Sequence, residues 1–250
     1  MDFGKLVEGA FAYARDGVFA RTDRWMKLIL ATILLGIPLS GYVMRIYRGA
    51  SPAPEVDEWG TLFGDGLKLM IIGLIYAIPI IIFAFAPILF MPGFGTDASP
   101  AHAGPLADSD TSAGMGAAFF LILVSMLFVV FFEIVIAILL PIASIRFART
   151  GAFWEAFNFG AILATIGAIG WFNYIIALIL VMILIGVPIF ILEMIVLFAG
   201  IAAGHMFIAL GLFVLAIIII APVLATFQAR YMTEIYDSPA VPEAQTQVPV

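Results

Sequence analysis

The stretch Met26-Lys-Leu-Ile-Leu-Ala-Thr-Ile-Leu-Leu-Gly36-Ile-Pro38-Leu-Ser-Gly41-Tyr-Val-Met44 carries a single charge, Lys27, and interrupts its own apolar run at the centre. Read as one helix, it comes close to the roughly 20 residues that cross a bilayer core. Read as two short helices about a Gly–Pro turn, it enters and leaves by the same face. Which reading holds decides the arrangement of everything after it. The later apolar stretches fall at 67–91, 115–145 and an almost unbroken run over 159–227. The last run divides most naturally at Phe198-Ala-Gly-Ile-Ala-Ala-Gly-His205, its weakest helical part, giving spans at 171–197 and 205–229; Gly186-Val-Pro188 is the competing break.

The basic residues arbitrate, because Lys and Arg beside short loops stay cytoplasmic. If 26–44 crosses, Lys5, Arg15, Arg21, Arg24 and Lys27 lie opposite Arg45, Arg48, Lys68, Arg146, Arg149 and Arg230, five against six. If it re-enters, all eleven share one side and the 92–114 and 198–204 connections carry none. The second distribution is far from chance. The expected fold is therefore an all-α, polytopic transmembrane helical bundle: four full spans, one re-entrant or extra span at 26–44, and interfacial amphipathic helices. It forms a single membrane domain over 1–236, with both termini cytoplasmic at a cell membrane. The acidic, small-residue 92–114 segment reads as an external loop and 237–250 as a disordered tail.

Composition agrees. The 250 residues are 64% hydrophobic and 11% charged, with a mean hydropathy of +1.17, against about 25% charged in ordinary soluble domains. A water-soluble monomer is excluded. Cysteine is absent and the histidines are two, His102 and His205, which excludes disulfides, thiolate chemistry and a multi-histidine metal site. The net charge of −6 and the lack of a basic patch with interleaved aromatics argue against nucleic acid. No nucleophile elbow, zinc-protease, Walker or dinucleotide motif occurs, so the expectation is no enzyme, no catalytic residue and no cofactor.

Residues 1–24 do not read as a cleavable signal peptide. Phe3, Leu6, Val7, Ala10, Phe11, Ala14 and Val18 fall in one arc of a helical wheel and the charges fall opposite, as in a helix lying in the headgroup plane or packed on the protein's own polar end. Two acids remain inside apolar stretches, Glu133 and Glu193. Glu193 lies seven residues from both Gly186 and Gly200, and His205 begins the following segment within presumed reach of it. Together Glu133, Glu193 and His205 make a candidate intramembrane polar site, read either as a proton- or cation-sensing group in a cavity or as helix-packing residues. Pro38, Pro79, Pro87, Pro141, Pro188 and Pro222 break the apolar stretches, as in transporters and in packed bundles alike.

An internal echo, read as duplication or as chance, links Arg45-Ile-Tyr-Arg48 with Trp59 to Arg146-Phe-Ala-Arg149 with Trp154. In both, arginines could reach lipid phosphates while a tryptophan sits at the interface, so Arg45, Arg48, Trp59, Arg146, Arg149 and Trp154 are candidate headgroup contacts within 26–60 and the interfacial segment 146–160.

Gly36-Ile-Pro-Leu-Ser-Gly-Tyr-Val-Met-Arg45, Glu58-Trp-Gly-Thr-Leu-Phe-Gly-Asp-Gly-Leu-Lys-Leu and Ile145-Arg-Phe-Ala-Arg-Thr-Gly-Ala-Phe-Trp-Glu-Ala-Phe-Asn-Phe159 give the chain a family likeness. It resembles the prokaryotic integral-membrane family known as domain of unknown function 4013, from about residue 5 to 235. More distantly it is similar to the membrane domain of some glycerophosphodiester phosphodiesterases, without their catalytic barrel. The resemblance implies a multi-pass helical protein of a cell membrane and carries no activity. The expected role is a non-enzymatic scaffold or accessory subunit in contact with the lipid bilayer and a membrane-protein partner or a second copy; the alternative is a small transporter or channel with a path near Glu133 and Glu193.

Overall fold

The computed structural model describes residues 1–90 and 112–240, and the remaining residues, which hold most of the expected external loop and tail, lie outside the described part. Every regular element among the described residues is helical. Helices α1 (Phe3–Ala14), α2 (Thr22–Ile33) and α3 (Ile37–Tyr47) are short; α4 (Trp59–Phe90) and α5 (Ser112–Thr150) are long; α6 (Phe159–Ile169) is short again; and α7 (Trp171–Ala203) and α8 (Met206–Asp237) are long. Ser112–Gly114 and Asp237, assigned from sequence to the loop and tail, are helical. Four helices are long and apolar enough to cross a membrane: Trp59–Ile88, Phe119–Thr150, Trp171–Ala203 and Met206–Asp237.

Met26–Met44 forms no single helix. Leu35 (φ 59°) and Gly36 (φ 69°) both take the left-handed conformation, which reverses the chain between α2 and α3. Gly36 adopts it freely, while Leu35 is strained there and its side chain is 82% exposed at the tip of the hairpin. At about 1.5 Å per residue, helices of 11 and 12 residues extend about 16–18 Å and cannot cross a core of about 30 Å.

How far the hairpin reaches along α4 follows from two glycines. A Cβ on Gly41 would lie 2.0 Å from the carbonyl oxygen of Leu62, and one on Gly66 would lie 1.8 Å from that of Ile37. Helix α3 therefore runs antiparallel to the start of α4 in backbone contact, with Ile37 opposite Gly66, Gly41 opposite Leu62 and Arg45 beside Glu58 and Thr61. The hairpin tip thus ends near the level of Lys68, before the uncharged part of α4 begins.

The long run over 159–227 holds one short helix and two long ones. The break between α7 and α8 is at Gly204 (φ 67°), while Pro188 sits inside α7. Gly170 (φ 92°) separates α6 from α7.

The chain forms two compact units, Met1–Ile72 with Pro141–Val250, and Gly73–Leu140. In the first, the last part of α8 is the central post. Phe227, Ala229, Tyr231, Met232 and Ile235 are buried there, and α1, α2, α3 and α7 pack against α8. Val18, Leu28, Ala31, Leu39, Tyr42, Ile46, Val56, Leu62 and Ala229 make one apolar cluster. All eleven Lys and Arg belong to this unit. By contrast, at most 11% of the most apolar window of each long helix is buried. This distribution has a physical cause. Burial from water stabilises by about 25 cal/mol per Å² of apolar surface, whereas between helices in lipid that drive is missing, so the packed core forms at the charged end. In the second unit, Phe83 stacks on Phe128 (4.5 Å between centroids) and Phe132 (5.6 Å), and the Ser125 hydroxyl donates to the carbonyl of Phe83.

Candidate functional site

The crossing of α3 and α4 carries Arg45 to the open end of α4. Its Nη1 donates to Asp57 (2.5 Å) and to the carbonyl of Glu55 (3.0 Å), and its Nη2 to the Thr61 hydroxyl (3.0 Å), the carbonyl of Asp57 (3.1 Å) and Glu58 (3.4 Å). The guanidinium holds the Asp57 carboxyl below its usual range. Arg48 pairs with Asp65 at 2.7 Å. Arg149 joins three elements, donating to the carbonyl of Tyr47 and to Asp237, each at 2.6 Å. Arg146 pairs with Glu155, whose carboxyl is held low by Arg146 first and by Asn158 second.

These four arginines were candidates for lipid phosphate. Each has an internal carboxylate partner, because the acids of the 55–65 loop and turn, Glu155 and Asp237 converge on the same end of the unit. Trp59 packs against the apolar cluster. Trp154, 78% exposed, is the one of the six that presents itself as an interfacial tryptophan would.

The most buried charge among the described residues, Arg24, was not among the candidates read from sequence. Five per cent exposed, it donates from Nη1 to the carbonyls of Gly17 (2.6 Å) and Ala53 (3.2 Å) and from Nη2 to Glu55. Its position depends on Gly17, where a Cβ would lie 2.4 Å from that of Ala53. Its Nε and the neighbouring Tyr42 hydroxyl are buried without a hydrogen-bond partner among the described residues. Tyr13 donates to the carbonyl of Ala50 (2.8 Å) while the Arg230 guanidinium lies 4.9 Å from its ring centroid, and burial pushes its hydroxyl up to about 12. Glu55 is 31 residues from Arg24, and no spacing rule joins them. The one local hint was Gly17 inside an otherwise helical pattern, since a glycine there costs helix propensity and can mark a close approach of another segment.

Of the three polar residues assigned to the membrane interior, Glu193 and His205 share a unit and do not meet. Glu193 and His205 are both exposed, and no hydrogen bond or ion pair joins them. Helix α7 runs on to Ala203, so Glu193 is ten residues, about 15 Å of helix rise, before the end at which His205 sits. Gly200 packs on Ala209, where a Cβ would lie 2.5 Å away, while Gly186 faces open space. Glu133 belongs to the other unit and is exposed on α5 beside Met126 and Val130. Neither glutamate has a hydrogen bond or ion pair to a described residue. Among the described residues no group of three or more His, Asp or Glu is placed to hold a metal ion.

Together these features define an all-helical protein of the membrane-spanning kind, with four long apolar helices and a charged, tightly packed end. The chain belongs to the family of proteins of unknown function DUF4013, whose model matches residues 26–197, more than half of its length. No curated protein and no solved structure matches it, and the distant similarity to glycerophosphodiester phosphodiesterases draws no support from these comparisons. The matched range contains the Gly41–Leu62 and Gly66–Ile37 crossings and the Arg45, Arg48 and Arg146 ion pairs, so the motifs that carry the family likeness are those that build the charged end.

Proposed function

We propose that the protein is a non-enzymatic scaffold or accessory subunit of a cell membrane, crossing it four times with both termini and the charged end in the cytoplasm, and that it holds another membrane protein through the helix faces marked by Glu133 and Glu193. The observation that carries this reading is the exposure of two glutamates on long apolar helices, without partners among the described residues. An acidic side chain in hydrocarbon is costly, about 2.5–3.5 kcal/mol at a helix centre for Asp, and a neighbouring helix that supplies a donor removes that cost. The sparse burial of the long helices leaves room for such a neighbour. The hairpin of α2 and α3 then sits at the interface, with its exposed Ile33, Leu34 and Leu35 against lipid.

Photo-crosslinking amino acids placed at Val130 and Ala137, which flank Glu133 on α5, test it in intact membranes. The reading expects one protein to be trapped from both positions and to be lost in Glu133→Ala with the fold retained. Crosslinks to lipid alone, or a solute flux in proteoliposomes abolished by Glu133→Gln or Glu193→Gln, would overturn it, the second in favour of transport.

A further inference from the structure

Beyond its charged end, the larger unit has an open concavity that neither the family likeness nor the proposed scaffold role uses. A groove of about 530 Å³ runs between α1 with the π-helical turn Arg15–Phe19 on one side and α7 and α8 on the other. Its volume is in the range of about 300–1,000 Å³ typical of small-molecule sites. Phe11 and Phe19 form one wall, Leu184, Ile185 and Val223 the other, and Arg15 is the sole charged residue in the lining.

We propose that this groove holds an acyl chain of one membrane phospholipid, with the lipid's phosphate on Arg15. Two observations select that occupant. The inner wall is made by α7 and α8, both apolar enough to cross the membrane, so what reaches the groove sideways is hydrocarbon. The outer wall is the amphipathic α1, whose Phe11 and Phe19 remain more than half exposed, 59% and 56%, although they border a cavity that could have buried them. The polar end of the same groove carries the guanidinium. Asp16 takes Nε at 2.7 Å and Nη2 at 3.3 Å, which leaves Nη1 with no described partner and able to donate to a phosphate. Arg15 differs from Arg45, Arg48, Arg146 and Arg149 in lining the groove, while it too is paired with a carboxylate, that of Asp16.

The π turn is part of the site. An extra residue in the turn after Ala14 shifts Phe19 around the helix axis, and Phe19 then meets the ring of Trp25 at 5.2 Å while still lining the groove. The wall is thereby fixed to α2 and preformed for its ligand.

Native mass spectrometry of the full chain, released from nanodiscs of dioleoyl phosphatidylglycerol and dioleoyl phosphatidylethanolamine into mild detergent, tests the site. The expected result is one phospholipid retained per chain. Val223→Phe and Ile185→Phe, which fill the groove from two helices, lose it while their thermal midpoints stay near that of the parent. Arg15→Gln, an exposed change that leaves the groove intact, weakens retention of the lipid. Glycerol phosphate alone is not retained, which separates a lipid from a free phosphate. Release of the chain with detergent only or as a dimer with no lipid, or retention undiminished in both filled variants or in Arg15→Gln, would overturn the proposal.

Discussion

The indole N–H of Trp25 donates to the carbonyl oxygen of Ile219, 2.9 Å away and 194 residues further along the chain. The accepting carbonyl lies three residues before Pro222, whose ring supplies no N–H to the carbonyl of Ile218 and crowds the preceding turn, so the intrahelical hold on this turn is weakened. Helix α2 is thus tied to the proline-containing turn in the central helix of its unit. Trp25→Phe keeps the ring and removes the donor, and it is expected to cost about 1–2 kcal/mol. Pro222→Ala lets α8 re-form its ladder, so the loss from Trp25→Phe shrinks in that background. A double-mutant cycle of unfolding free energies measures the coupling, and strictly additive losses would show that the two features are independent.

Two glycines set the distance between α3 and α4. With backbone oxygens about 2 Å from the places their Cβ atoms would occupy, Gly41→Ala and Gly66→Ala force the helices apart, and each is expected to lose about 3 kcal/mol or more. Gly64, two residues from Gly66 on another face of the same helix with nothing within 4 Å, is the control. Gly64→Ala should gain about 0.5–1 kcal/mol from helix propensity. Denaturant or thermal unfolding in one detergent compares the three directly.

The charged end also has a signed pH dependence. Asp57 and Glu155 are held below their ordinary values of 3.8 and 4.5 by hydrogen bonds from Arg45 and Arg146. A depressed carboxylate stabilises the folded state above its unfolded value and withdraws that contribution as pH falls through the folded one. Stability is therefore expected to be flat from neutral pH down to about pH 5 and to fall below the ordinary carboxylate values. Asp57→Asn with Glu155→Gln should flatten that fall. Melting curves recorded in steps down to strong acid check both statements.

Much of this architecture is legible in residues alone, and the exceptions share a cause. The helical class and the long apolar helices follow from the unbroken apolar runs, because in lipid only helices and closed barrels satisfy the backbone and barrel strands are short and alternate. The family likeness rests on glycines and arginines whose spacing is local. Contacts between distant segments are not local, and they decide the site. Arg45, Arg48, Arg146 and Arg149 look like phosphate ligands until Asp57, Asp65, Glu155 and Asp237 are folded onto them. Arg24 reads as one more charge on a polar face until Gly17 and Ala53 close over it. The Glu193–His205 contact fails for a simpler reason: α7 continues for ten residues past the glutamate, a boundary that a weak helical stretch such as Phe198-Ala-Gly-Ile-Ala-Ala-Gly-His205 does not fix.

The central claim is that four helices cross, the α2–α3 hairpin does not, and every basic residue is on one side. Single cysteines at Ser51 and His205, in a chain that has none, test it with an impermeant thiol reagent applied to intact cells. The account predicts labelling at His205→Cys and protection at Ser51→Cys until the membrane is permeabilised. Labelling at Ser51→Cys with protection at His205→Cys would put the charged end outside, by inverted insertion or by a crossing of 26–44, and would contradict it.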